Sequence, residues 1–263
     1  MDAPEAGIAM QRFEDRVVIV TGAGSGIGEA TARRFVAEGA RVVLTDSVAE
    51  KIDAVVASLP EGRAVALPAD SSDYDQVAAM VQTTVDRFGQ LDVLVNNAGT
   101  ITQGTVQDTS VEDWHRVLDT DLSGVFYGTK AAMAHLLDSR GCIVNVSSVS
   151  GLAGDWRMSA YNAAKGGVSN FTRAVALDHG RDGVRVNAVA PGFVWTDLTS
   201  EDGEPHELDD EFARRIALGR GGLPDEVAAA ITFLASDDAG FITGVVLPVD
   251  GGTMASNGQP AQA

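Results

Sequence analysis

The chain has 263 residues, 45% of them hydrophobic, with 19 basic against 37 acidic side chains for a net charge of -18. That length supports a large core within one α/β unit, and so acidic a balance excludes the basic clusters that bind a nucleic-acid backbone. No apolar run approaches the roughly 20 residues of a membrane span, and the opening MDAPEAGIAMQRFED has neither the positive nor the apolar region of a secretory signal, so a cytoplasmic protein is expected.

Residues 1–12 read as an N-terminal extension. The first β-branched run, VVIV at 17–20, leads directly into Thr21-Gly22-Ala23-Gly24-Ser25-Gly26-Ile27-Gly28 and an apolar helical stretch over Gly26–Glu38. Strand, glycine turn and helix in that order let a pyrophosphate reach the unpaired N–H groups and the positive dipole end of a helix. The next run, VVLT at 42–45, ends at Asp46. A carboxylate there can accept hydrogen bonds from both ribose hydroxyls of an adenosine and would repel a 2′-phosphate; capping the following helix is its plainer use. The nearest downstream base is Lys51, so the pattern favours NAD(H) over NADP(H).

Short apolar runs and helical stretches continue to alternate. Helices are predicted over Val48–Leu59, Asp73–Phe88, Val111–Leu137, Ser159–Gly180 and Pro224–Ala235. Between them lie AVAL at 64–67, DVLVNN at 92–97, CIVNVSS at 142–148 and VRVNAVA at 184–190. This is the pattern of a doubly wound parallel sheet covered on both faces, in one domain over 13–252. The lone Cys142 falls inside a strand and reads as a small buried thiol. The four histidines have no metal-ligand spacing, so no metal is expected. An acidic insertion at about 193–220, with a helical patch near Glu211–Leu218, has the character of a lid. The tail at 253–263 reads as a frayed end.

Three proton-handling groups stand out. Tyr161 and Lys165 are four residues apart on a helical stretch and share a face, and Ser148 precedes them at a strand end. An ammonium beside a phenol favours the phenolate, which equips the pair to exchange a proton with an alcohol or ketone.

Taken together, these motifs resemble the short-chain dehydrogenase/reductase family over Phe13 to Gly252. The resemblance is carried by TGAGSGIG at 21–28, Asn96-Asn97-Ala98-Gly99, Ser148 with Tyr161 and Lys165, and Pro191-Gly192. It implies a Rossmann sheet of order 3-2-1-4-5-6-7, a homotetramer, and an NAD-dependent exchange between a secondary alcohol and a ketone. It further implies that Tyr161 is the general acid/base, that Lys165 assists it and holds the nicotinamide ribose, and that Ser148 binds the substrate oxygen. Cofactor contacts would come from Gly22, Ser25, Gly26, Ile27, Gly28, Asp46, Asp70, Ser71, Asn97, Gly99, Gly192, Val194 and Thr196. One position departs from the family pattern: Asp121 stands where an Asn usually serves a proton relay, and a carboxylate near Lys165 offsets part of the lysine's effect on Tyr161.

Stretches outside the shared motifs, such as CIVNVSSVSGLAGDW at 142–156 and VDGGTMASNGQP at 249–260, most resemble the short-chain 2,3-butanediol (acetoin) dehydrogenases. That implies a small alcohol or vicinal diol substrate, in a pocket of Val149, Ser150, Leu152, Trp156, Phe193 and Trp195 beside Ser148 and Tyr161. The tryptophans would serve equally to pack loops on the core. A cyclic alcohol, steroid, sugar or 3-oxoacyl thioester fits the same motifs, and a non-catalytic NAD(H)-binding protein is the reading from outside enzymology.

Overall fold

A computed structural model of the protein describes residues 11–200, 205, 206, 208, 210–257 and 259. Most of the extension expected at 1–12, part of the insertion at 193–220 and the end of the tail lie outside the described residues.

Seven strands make one parallel sheet in the order 3-2-1-4-5-6-7, as the sequence implies. They are β1 (Val17–Thr21), β2 (Arg41–Thr45), β3 (Ala64–Ala66), β4 (Val93–Asn96), β5 (Cys142–Val146), β6 (Arg185–Pro191) and β7 (Val246–Val249). The crossovers are α1 (Gly26–Ala37), α2 (Ala49–Ala57), α3 (Tyr74–Phe88), α4 (Val111–Leu118), α5 (Gly124–Ser139) and α6 (Ser159–His179), then a short α7 (Asp210–Ala213) and α8 (Pro224–Ala235). Side chains alternate across a strand, so the faces fill separately. Val18, Val20, Val42 and Leu44 meet Phe35, Ile52, Ile231 and Leu234 on one face, while Ile19, Val43, Leu94 and Ile143 meet Met80, Val81, Leu136 and Val175 on the other. Each such burial contributes roughly 1.5–3 kcal/mol, which is why the strands are almost wholly apolar.

The chain turns to β2 on one side of β1 and to β4 on the other. Loops leaving the carboxyl ends of β1 and β4 therefore part, and a crevice opens between them.

One element differs from the sequence expectation. The helix expected over Val111–Leu137 is broken by a π turn, Asp119–Ser123, between α4 and α5. Two close approaches fix it. A Cβ on Gly167 of α6 would stand 2.9 Å from the Leu122 side chain, and a Cβ on Gly124 would stand 2.8 Å from the Ser71 carbonyl oxygen. The extra residue of a π turn rotates the helix beyond it, and here it leaves Asp121 with none of its surface exposed. The helical patch expected at Glu211–Leu218 is confined to α7, which ends at Ala213.

Candidate active site

The crevice holds a cavity of about 400 Å³ whose wall runs from the glycine turn to Tyr161 and Lys165. At the turn, Gly22 and Gly26 have φ of 61° and 54°, conformations that disfavour any side chain. A Cβ on Gly28 would lie 2.0 Å from the Gly22 carbonyl oxygen, so the turn can close only around glycine. Asn97, just past β4, ties it down by donating through Nδ2 to the carbonyls of Thr21 at 2.9 Å and Gly22 at 3.1 Å. Ser25 is the N-cap of α1, yet its side chain makes no capping hydrogen bond. The first N–H groups of α1 are thus left for an anion. Asp46, at the end of β2, lines the same cavity. The donor set fits a dinucleotide: the α1 N-terminus would hold a pyrophosphate, and Asp46 would accept from a ribose.

At the other end, Tyr161 and Lys165 lie one turn apart on α6, with the ammonium 5.6 Å from the phenol ring centre. Lys165 is 3% exposed, and its Nζ donates to the Val146 carbonyl at 3.0 Å. Ser148 begins the 3₁₀ turn Val149–Gly151; its Oγ accepts from the Ser150 N–H at 3.1 Å and donates to Ser150 Oγ at 3.2 Å. Ser150 in turn donates to Asp155, so a file of hydroxyls ending on a carboxylate orients Ser148.

Asp121 reaches Lys165 from the π turn, Oδ2 to Nζ 3.1 Å. Its Oδ1 accepts from the Thr100 N–H at 2.7 Å. A Cβ on Gly99 would lie 3.0 Å from Oδ2, so glycine leaves room for the pair. Burial raises Asp121 above the ordinary carboxylate range, against the pull of Lys165, the Thr100 N–H and Arg116. Burial lowers Lys165, but Asp121 and Tyr161 more than offset it, and the ammonium stands above its ordinary value. The two directions conflict over the charge of the carboxylate. Proximity decides: a lysine that holds its proton this firmly at 3.1 Å favours the ionised partner.

Residues 22–254 match the family model described as enoyl-(acyl carrier protein) reductase. The meso-2,3-butanediol dehydrogenase of Serratia marcescens is 55% identical over 95% of this chain and 98% of its own. The chain belongs to the short-chain dehydrogenase/reductase family. The cis-4-hydroxycyclohexanecarboxylate dehydrogenase of Sinomonas cyclohexanicum is 45% identical, covering 92% of this chain and 98% of its own. The crystal structure of levodione reductase superposes with a TM-score of 0.87 at 37% identity, covering 93% of this chain and 100% of that one.

In this short-chain dehydrogenase/reductase, the cavity wall brings together Gly22, Ser25, Gly26, Ile27 and Asp46 from the β1 and β2 ends with Asn97, Gly99 and Asp121. Ser148, Tyr161, Lys165, Gly192, Val194 and Thr196 complete it. Gly28 lies behind the turn, and Asp70 and Ser71, past β3, are outside that wall. The substrate pocket expected from sequence is not assembled as a unit. Trp156 is 93% exposed, because Arg157 adopts φ 59° and Asn162 holds Asp155, turning the segment outward. Val149 and Ser150 sit in the 3₁₀ turn behind Ser148. Phe193 and Trp195 stack edge to face at 4.7 Å, and Trp195 packs against Gly221 rather than the cavity.

Three residues that sequence reasoning passed over help build the site. Thr21 Oγ1 accepts from the N–H groups of Asn97 and Ala98 at 2.9 and 3.0 Å, which aligns the β4 end with the turn. Ser147 Oγ donates to the Lys165 carbonyl at 3.0 Å and lies 2.7 Å from Ser169 Oγ, pinning α6 to β5. Asp197 faces Lys51 across the cleft at 3.6 Å. The Ser-Ser pair at the end of β5 signalled Ser147; Asp197 sits in a stretch with no period to read. Among the described residues no cluster of His, Cys, Asp or Glu has metal-ligand geometry, and no helix is long and apolar enough to cross a membrane.

Proposed function

We propose that this oxidoreductase interconverts a small secondary alcohol or vicinal diol, of the 2,3-butanediol and acetoin type, with its ketone, using NAD(H). The single observation that carries the reading is the shared cavity, in which Ser148, Tyr161 and Lys165 stand at one end and the uncapped N-terminus of α1 at the other. Bound there, the dinucleotide supplies the hydride acceptor for alcohol oxidation and the hydride donor for ketone reduction. Tyr161, as phenolate, takes the hydroxyl proton during oxidation and returns it to the carbonyl oxygen during reduction. Ser148 turns its one hydroxyl hydrogen from Ser150 Oγ to that oxygen and donates to it as its charge develops. Lys165 stabilises the phenolate and, with a dinucleotide bound, would hold the nicotinamide ribose.

NAD rather than NADP is supported by the Asp46 carboxylate in the cavity wall, though Lys51 stands nearby as a cation. The 2,3-butanediol class is supported by the 55% identity to the Serratia marcescens enzyme. A cyclic alcohol is the second reading, supported by the cis-4-hydroxycyclohexanecarboxylate dehydrogenase relative. Exposed Phe126, Leu177 and Phe241 support a homotetramer. Absorbance of NADH, followed over a panel of diols, hydroxyketones, cyclic alcohols and steroids with both cofactors, tests the reading. Preferred turnover of diols with NAD upholds it; preferred cyclic substrates select the second reading, and no turnover with any alcohol rejects both.

A further inference from the structure

Asp121 and Lys165 form an ion pair between side chains that are 0% and 4% exposed, whereas every other ion pair among the described residues has a partner reaching solvent. A buried ion pair is expensive to desolvate and adds little stability for that expense, so its place against a proton-handling phenol calls for another explanation. The pair is closely fitted. Lys165 Nζ has Val146 O at 3.0 Å and Asp121 Oδ2 at 3.1 Å, while Asp121 Oδ1 is held by the Thr100 N–H at 2.7 Å. The ammonium is the only partner of Oδ2 among the described residues.

We propose that Asp121 is a positioning residue of the proton-transfer machinery, whose carboxylate orients the Lys165 ammonium and sets the pH at which Tyr161 gives up its proton. The proposal rests on Tyr161 and Lys165 being the proton-handling pair. The π turn aims Asp121 at Lys165, and Gly99 clears the space between them. Charged and titratable groups stand around the pair on several elements. On α6 they are Lys165 and Tyr161; on α4, Arg116, which acts on Asp121 from beside Thr100, where its guanidinium donates to Oγ1 at 2.7 Å. Across the cavity stand Asp46, Lys51 and Asp197, and Asp155 ends the hydroxyl file from Ser148.

Charge alone decides the sign. A carboxylate beside two coupled groups opposes loss of a proton from either, whether the phenol or the ammonium releases it. Removing that charge therefore moves the first proton loss of the Tyr161–Lys165 pair to lower pH. Alcohol oxidation, which needs the proton gone, should switch on at lower pH, and ketone reduction, which needs it present, should switch off at lower pH.

The test compares wild type with Asp121→Asn and Asp121→Ser, each checked for folding by circular dichroism and for NADH binding by fluorescence. The pH profiles of oxidation and reduction are measured, together with ultraviolet phenolate titration of the ligand-free proteins, each against its Tyr161→Phe counterpart. Expected is a downward shift of about one pH unit in all three midpoints for both variants. Unmoved midpoints in folded variants mean that Asp121 is already neutral there and overturn the proposal, as does an upward shift. Because the phenolate titration needs neither cofactor nor substrate, it still reads the Asp121 effect if no alcohol is turned over. Should Asp121→Asn fail to fold, Asp121→Ser carries the comparison; should both fail, the pair is structural and the proposal falls.

Discussion

Asp46 Oδ2 accepts from the Gly24 N–H at 3.2 Å, while Oδ1 accepts from the Val48 N–H at 3.0 Å, so one carboxylate links the glycine turn after β1 to the start of α2. In the proposed reading this carboxylate would hold the adenosine ribose, and its charge would oppose a 2′-phosphate. Asp46→Ala should raise the relative efficiency with NADP over NAD by about tenfold, equivalent to ~1.4 kcal/mol. Ratios of kcat/KM with the two cofactors give the answer, and an unchanged ratio removes Asp46 from ribose recognition.

Tyr161→Phe deletes one hydroxyl and leaves the ring over Lys165. It should bind NADH as the wild type does and lose about 10²- to 10⁴-fold in turnover, the usual worth of a positioned acid or base. Steady-state kinetics alongside fluorescence titration separate the two effects, and near-normal kcat would exclude the phenol from proton transfer.

Gly28→Ala forces a methyl group to within 2.0 Å of the Gly22 carbonyl unless the turn opens. That carbonyl is backbone rather than a flexible side-chain end, so the turn itself must move. A loss of ~3 kcal/mol in urea unfolding, with weakened NADH binding, is the expected outcome. Wild-type stability with tight NADH binding would show that the turn tolerates a different path.

Much of this architecture was legible because strands buried on both faces leave an unmistakable apolar signature, as VVIV at 17–20 and CIVNV at 142–146 do. The seventh strand was harder to read: Pro248 lacks an N–H and interrupts the run, and it is tolerated because β7 is an edge strand. Nothing in the residue types around Asp119–Ser123 marks a π turn, since its cause lies in contacts with Gly167 and Ser71 far along the chain. Trp156 escaped for a related reason: a left-handed Arg157 decides where that ring points, and non-glycine residues seldom announce that conformation.

Acid should loosen one end of α8. Glu226 pairs with Arg220 at 2.6 Å and accepts from the Leu223 N–H at 2.9 Å. The Arg220 hydrogen bond, helped by that N–H, lowers its carboxyl from 4.5 to about 2. A depressed carboxyl stabilises the fold above its unfolded value and loses that contribution as pH falls from about 4.5 toward 2. Because both side chains are well exposed, the contribution is discounted to below about 1 kcal/mol. Glu226→Gln should therefore lower stability slightly at neutral pH and converge on the wild type near pH 2, as read by urea midpoints; a difference that grows in acid would reverse the assignment.

Cys142 lies 3% exposed in β5, and burial pushes its thiol up to about 11. Alkylating reagents and mild oxidants act on thiolates that they can reach, and this one meets neither requirement. The native protein is thus a ready-made cysteine-free surface. A single cysteine introduced at an exposed position, such as Leu198 in the cavity wall, would take up a fluorophore alone and report on ligands entering the cleft in real time.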